Sequence, residues 1–312
     1  MDYKKLSALI DKHAIISFDV FDTMINRNVP QAIDLFKIVG IKYFQLFGEK
    51  IDFTKKRQLA ENLARKNGEF YEVNLDEIYQ QMVTFYDKKI SMRLKNLEIK
   101  TEIDFSCPNK QIFDIFEECK RKGKLIFIVS DMYLPSTVIS KMLSHCGYSG
   151  YNKLYVSCEA RQTKWQNGLL YRNILEENHI TASRVLHIGN DKIADYVMAK
   201  KQGLSAFLIS ENDNCRYYGV TGLYGSEKLQ YGCIEKFVSN SFIGIDKPNS
   251  YKLGFEVFGP LLYGYCDWLL KKAKENNINK IYFFSRDGYV LKKGFELLNS
   301  SIKTYYFYGS VK

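Results

Sequence analysis

Four places in this 312-residue chain put reactive or phosphate-binding side chains at matching positions. Asp19 and Asp22, with Thr23 beside them, follow the apolar run 14–18. Ser130 closes the run 125–129, Asn190 and Asp191 follow 185–188 and Gly189, and Thr163-Lys164 lies between the last two. Each run is short for a helix and bounded by polar residues or glycine, which predicts buried strands. Open α/β sheets bind ligands outside the C-terminal ends of their parallel strands. Two acidic positions, a lysine and a hydroxyl meeting there would suit a phosphate with Mg2+. A carboxylate at such a strand end can also act as a nucleophile that passes through an aspartyl-phosphate. The same residues have plainer readings: Ser130 as a helix N-cap, Lys164 as a solvated loop lysine, and the whole as strands ending in polar turns.

The elements that would position these residues alternate. Helices are predicted over 111–121, 136–143, 171–177 and 194–201, and strands over 125–129, 153–156, 185–188 and 205–209. That alternation predicts an α/β fold: a parallel sheet with helices on both faces. Between the first strand and Cys107-Pro108, apolar residues recur at helical spacing (Leu35, Phe36, Val39, Tyr43; Leu59, Leu63; Ile78, Met82; Ile90, Leu94, Leu97), which predicts an all-helical insertion. Residues 212–250, rich in Gly, Asn, Ser and Tyr, read as a long irregular connection. A helix over 251–274, a strand over 281–284, a helix over 289–298 and a strand over 304–308 then follow. One β-α-β unit cannot close a sheet by itself, so the chain is expected to be part of a longer protein. The domain reading is therefore a core of 1–29 and 106–211, an insertion of 30–105 and an extension of 212–312.

In this order the four elements resemble the haloacid dehalogenase (HAD) superfamily. Phe18-Asp19-Val20-Phe21-Asp22-Thr23 is similar to its first motif, and Leu125-Ile126-Phe127-Ile128-Val129-Ser130 to its second. Lys164 ahead of Gly168-Leu169-Leu170-Tyr171 is similar to the third, and His187-Ile188-Gly189-Asn190-Asp191 with Asp195 to the acidic fourth. The resemblance implies a HAD-like Rossmannoid sheet in which the helical insertion is a C1-type cap. It implies Asp19 as nucleophile, Ser130 as a donor to a phosphoryl oxygen, and Lys164 as the charge that offsets the transition state. Mg2+ would be held by Asp19, the backbone carbonyl of Phe21, Asp191 and Asp195, with Asp22 and Thr23 beside a small phosphorylated substrate. Arg57, Glu61 and Arg65 share one helical face in the implied cap. Arg57 and Arg65 read either as guanidiniums for an anionic leaving group or as an intrahelical ion-pair ladder.

Two positions depart from the pattern. Phe21 stands where the phosphatases of the superfamily carry a second Asp, the general acid and base. Asn190 stands where Asp is usual. Three functions therefore stay open: a Mg2+-dependent phosphohydrolase or phosphotransferase, a dehalogenase-like displacement at carbon, and a weakly catalytic binding or scaffold module. Gly254–Pro260 and Ser285-Arg286-Asp287-Gly288 also resemble multidomain hydrolases of this superfamily found with bacterial surface-polysaccharide glycosyltransferases. That implies a glycosyltransferase module in the same or a neighbouring chain.

Bulk composition narrows the classes. The net charge of +10 is spread along the chain, and clusters such as Lys120-Arg121-Lys122 read as solvated helix faces. This favours anionic small molecules or an acidic surface over sequence-specific nucleic-acid readout. The 7 cysteines are scattered with no C-x-x-C pair, the pattern of reduced packing thiols rather than a zinc site. No apolar run is long enough to span a bilayer and the N-terminus lacks a signal-type core, so a cytoplasmic location is expected.

Overall fold

The computed structural model describes residues 2–68, 72–209, 224–242, 247–298 and 301–309. Chain contacts divide it into two compact units, Met1–Gly244 and Ile245–Lys312.

In the first unit, helix α1 (Tyr3–Lys12) leads into β1 (Ile15–Phe18), the centre of a five-stranded parallel sheet. Its neighbours are β4 (Leu125–Ser130) and β6 (Val185–Gly189), with β5 (Lys153–Val156) and β7 (Ser205–Leu208) at the edges; the order is β5-β4-β1-β6-β7. Both faces of β1 are buried, and its alternating side chains feed two cores. Ile16 and Phe18 join Ile126, Ile128, Leu186 and Ile188, beneath α1, α6 (Lys110–Arg121) and α7 (Ser136–His145). Ile15 joins Phe127, Val129 and Val185 on the opposite face, beneath α9 (Leu169–Glu177) and α10 (Met198–Lys201). The expected α/β sheet with helices on both faces is what the chain forms. Register sets Phe18 against Ile128 and Ile188, so Asp19 leaves the sheet beside the ends of β4 and β6.

Four helices are inserted after β1: α2 (Asp34–Phe47), α3 (Phe53–Asn67), α4 (Leu75–Met82) and α5 (Lys88–Asp104). Their stem is a short antiparallel pair, β2 (Ile25–Arg27) with β3 (Ser106–Pro108), which the helical reading of this region did not foresee. The start of α4 is fixed by a capping box, Asn74 with Glu77, and that of α5 by the Asp87 side chain. A single continuous apolar core joins these helices to the sheet.

The irregular connection expected over 212–250 is corrected in part. Residues 212–223 lie outside the described residues, but α11 (Gly225–Ser241) is a regular helix of the first unit. Leu229 packs with Val29, Leu35 and Ile38, and the Asn240 amide donates to the Arg27 carbonyl and Asn28 Oδ1 (3.1 and 2.9 Å). The helix expected over 194–201 opens instead with a wider π-helical turn, Lys192–Val197.

In the second unit, α12 (Asn249–Leu253) and a π-helical turn run into α13 (Gly259–Glu275). Strands β8 (Lys280–Phe284) and β9 (Lys303–Phe307) pair in parallel around α14 (Gly288–Leu297). Cys266, Ala273, Phe283, Phe295 and Ile302 form its core.

Candidate active site

Asp19 follows β1 directly, and its amide still donates to the Ile188 carbonyl (2.9 Å), which fixes the carboxylate at the sheet's C-terminal edge. The residue is 6% exposed. Lys164, equally buried, donates from Nζ to Asp19 Oδ1 at 2.5 Å and to Asp195 Oδ1 at 2.7 Å. Burial opposes the ammonium, but the two carboxylates outweigh it and hold the Lys164 pKa well above its ordinary value. One ammonium cannot neutralise two buried carboxylates. The excess falls on Asp19, whose carboxyl is pushed up to about 7 by burial and by Asp195, against the pull of Lys164.

Asp195 keeps its charge because it is the better solvated of the pair by protein groups. Oδ1 accepts from Lys164 and from His187 Nε2 (3.2 Å), and Oδ2 from the Asp191 amide (2.9 Å). Burial works against the anion, but Lys164 and His187 hold its pKa well below the usual carboxylate range. His187 is buried, which lowers its pKa and keeps it neutral. It therefore donates from Nε2 and accepts at Nδ1 from the Ser17 hydroxyl (2.9 Å). Gly189 permits this closure: a Cβ there would run into the Asp195 side chain.

These groups open on a cavity of about 300 Å³ lined by Asp19, Phe21, Asp131, Lys164, Asn190, Asp191 and Asp195 with Trp165 and Ala194. Ser130, fully buried at the end of β4 next to the lining residue Asp131 but not itself in the lining, has a hydroxyl with no hydrogen-bond partner among the described residues. An orphaned buried donor of this kind is what a bound oxyanion would satisfy. Thr23 is buried as well and donates to Asn190 Oδ1 (3.0 Å), tying the loop after β1 to the loop after β6.

The structure does not bring every expected residue to this cavity. Asp22 takes a left-handed backbone (φ 56°), is exposed, and lies outside the lining. The intervening Phe21 faces the cavity instead, under the Arg27 guanidinium at 4.1 Å from its ring centroid. Arg57 is fully buried, bonded to Glu98 (3.0 Å) and Glu61 (3.0 Å), and stacked near the rings of Phe36 and Tyr133. Arg65 is bonded to Glu61 (2.9 Å) and Glu72 (3.3 Å). Both guanidiniums are thus held by the protein's own carboxylates, and the reading of them as anion receptors is replaced by the ion-pair ladder, extended to Glu98 and Glu72. Asp195, expected as a metal ligand, has both oxygens engaged as an anchor for Lys164 and the loop after β6.

Asp131 is the cavity residue the sequence reading passed over. Its carboxylate accepts from the Lys164 amide at both oxygens (2.9 and 2.9 Å) and from the Trp165 amide (3.3 Å). Burial raises its pKa, against the pull of Lys164 and these amides. The strand-end argument that singled out Ser130 applied equally to its neighbour.

The donor set bears on the implied metal. No three His, Cys, Asp or Glu side chains form a ready-made cluster among the described residues. Yet the described lining sets four carboxylates against the single ammonium of Lys164. A phosphate dianion entering such a space would add to an unbalanced negative charge, so a divalent cation fits the cavity's chemistry. Asp19 and Asp191 are the lining carboxylates that could hold it, Asp191 through Oδ2, since its Oδ1 accepts from the Ile193 and Ala194 amides.

No family model matches this chain, and no curated protein matches it either. Solved structures similar to it include a 2-haloacid dehalogenase from Pseudomonas syringae pv. tomato, at 10% identity and a TM-score of 0.48, covering 68% of this chain and 90% of that one. A HAD-family enzyme from Bacteroides thetaiotaomicron is 14% identical, with a TM-score of 0.46 and coverage of 67% and 99%. That enzyme is also known in complex with magnesium and inorganic phosphate, where the match is 13% identical, with a TM-score of 0.42 and coverage of 66% and 98%. Among the described residues no helix is long and apolar enough to cross a membrane.

Proposed function

We propose that this chain is a Mg2+-dependent phosphohydrolase or phosphotransferase acting on a small phosphorylated metabolite through an aspartyl-phosphate at Asp19. The observation that carries the reading is the buried Asp19 carboxylate bonded to a lysine it shares with Asp195, at the mouth of a cavity too rich in carboxylates for an anion alone. Lys164 and Asp195 aim Asp19 and fix its position, and the same ammonium offsets charge that builds on the transferred phosphoryl oxygens. Ser130 supplies an unspent hydroxyl for one of those oxygens. Asp19 attacks phosphorus, the ester bond to the leaving oxygen breaks, and water later releases phosphate from the acyl phosphate. A divalent cation held by Asp19, Asp191 and the Phe21 carbonyl would supply further charge compensation for the phosphate.

A dehalogenase-like displacement at carbon agrees with Phe21 lining the cavity but leaves the carboxylate excess uncompensated around an anionic haloacid. The tests separate the readings. Phosphate release from a panel of sugar and nucleoside monophosphates and an aryl phosphate should require Mg2+, stop with EDTA, and vanish in Asp19→Asn. Equal release by wild type and Asp19→Asn would overturn the proposal in favour of a binding module, and metal-independent halide release would favour the displacement.

A further inference from the structure

An alkyl phosphate leaves as an alcohol only when its oxygen gains a proton, and Phe21 has none to give. Resting on the reading above, we propose that Asp131 is the general acid and base of this site. A second cavity, of about 440 Å³, lies beside the first, lined from α2, α3 and the segment after β4 by residues that include Gln58, Asn62 and Tyr133. Phe21 and Asp131 are the two residues that line both spaces. A phosphoester whose phosphoryl group meets Asp19 in the first cavity, and whose alcohol part extends into the second, has its bridging oxygen at that shared boundary. Of the two boundary side chains only Asp131 can exchange a proton. Asp22 lies outside both linings.

The carboxylate is also held in place, as a proton-transfer group must be. Lys164 and Trp165 donate to it through their backbone amides, which fixes its plane and leaves lone-pair capacity for the substrate oxygen or a water. Burial brings its protonation nearer neutral pH. In the first step an Asp19 oxygen bonds phosphorus, the P–O bond to the alcohol breaks, and the Asp131 proton goes to the leaving oxygen. In the second, the Asp131 carboxylate takes a proton from water. The water oxygen bonds phosphorus, the Asp19–phosphorus bond breaks, and Asp19 and protonated Asp131 are restored.

The deciding measurement is the dependence on leaving group. p-Nitrophenolate departs without a proton, whereas an alkoxide does not. In rapid-mixing assays with Mg2+, Asp131→Asn should keep the p-nitrophenolate burst within about 5-fold of wild type. It should lose about 100-fold or more on an alkyl phosphate, and with the p-nitrophenyl ester it should accumulate phosphate on Asp19. Melting temperature checks that the variant is folded, and Asp131→Glu should recover part of the alkyl activity. An equal loss on both esters, or no loss on either, overturns the role of Asp131 while leaving the aspartyl-phosphate reading intact. Absence of any Asp19-dependent p-nitrophenolate release in the wild type removes that reading, and with it the reaction Asp131 would serve.

Discussion

Two clusters of charge in the first unit are both built from cations and carboxylates, Arg with Glu in one and Lys with Asp in the other, and behave in opposite ways. Around Arg57, each guanidinium meets carboxylates: Arg57 with Glu98 and Glu61, Arg65 with Glu61 and Glu72, and the Tyr79 hydroxyl adds a 2.6 Å bond to Glu98. Around Asp19, the described cavity lining sets one ammonium against four carboxylates. In the first cluster each of the three carboxylates is paired with a guanidinium, even though Glu61 also lines the second cavity. In the second, three of the four carboxylates exceed what the one ammonium can offset, and the imbalance faces a space that a ligand can enter. Buried charge that is paired holds helices together. Buried charge of one sign beside a cavity is where outside charge is needed to complete the balance.

The largest effects should dissociate the two. Asp19→Asn should lower phosphate release by about 10³-fold or more, because the nucleophile is gone, yet it should not destabilise the fold. Arg57→Ala should do the reverse. It strands Glu98 at 1% side-chain exposure with, among the described residues, the Tyr79 hydroxyl as its remaining hydrogen-bond donor, a loss of about 3–5 kcal/mol seen as a drop in denaturant midpoint, while the folded fraction keeps its activity per molecule. A folded Arg57→Ala protein with unchanged stability and lost turnover would exchange the roles of the two clusters.

The pH dependence sharpens the contrast. A carboxyl raised to about 7 binds a proton in the folded chain that the unfolded chain has already lost, so wild-type stability should fall as pH rises from about 4 to about 7 and then level off. Asp195, held low, works with the opposite sign, and its contribution is lost only as pH falls below the ordinary carboxylate range. In EDTA, Asp19→Asn should therefore melt above wild type at pH 8, by an amount on the order of 2 kcal/mol, and the gain should shrink toward pH 5. Adding Mg2+ should raise the wild-type melting temperature at pH 8 and leave Asp19→Asn nearly unmoved. An Asp19→Asn protein that melts below wild type at pH 8 without metal would mean that the Asp19–Lys164 pair is matched after all.

Much of this was legible in the sequence, and the misses have physical reasons. The three central strands show as short apolar runs because both of their faces are buried, the edge strands β5 and β7 less so, and the residues after the central ones sit where parallel strands end. Asp19, Ser130 and Asp191 could be aligned that way, with Lys164 between the last two, whereas Asp195 came only from the resemblance to the fourth motif. Strands β2 and β3 are three residues each, too short for any periodicity. Helix α11 escaped notice because its buried positions include Gly232 and Asn240 and give little apolar rhythm. The pairing of Arg57 with Glu98, 41 residues away, follows from how α3 and α5 pack, which local spacing does not encode. Asp131 reads as an ordinary strand-end residue until two cavities are seen to share it.

The smallest expected effect concerns Arg65, where the anion-receptor and ladder readings still give different numbers. Its side chain is 26% exposed and Glu61 is part-buried, so solvent screens that pair, while buried Glu72 keeps the bond from the Ser157 hydroxyl (2.6 Å), and Arg65→Ala should cost about 0.5–1 kcal/mol. A receptor for a second negative charge would instead show itself in binding. KM for a substrate bearing an extra carboxylate or phosphate would rise, while KM for its neutral counterpart would not. Because Glu61 and Glu72 already hold the guanidinium, an incoming anion would have to displace a carboxylate bound at no entropic cost of association. The expectation is therefore a small loss of stability with both KM values unchanged, measured on matched sugar monophosphates with and without the second anionic group. A selective rise for the doubly anionic member would open the ladder to substrate and make Arg65, beside the Glu61 that lines the second cavity, part of the site.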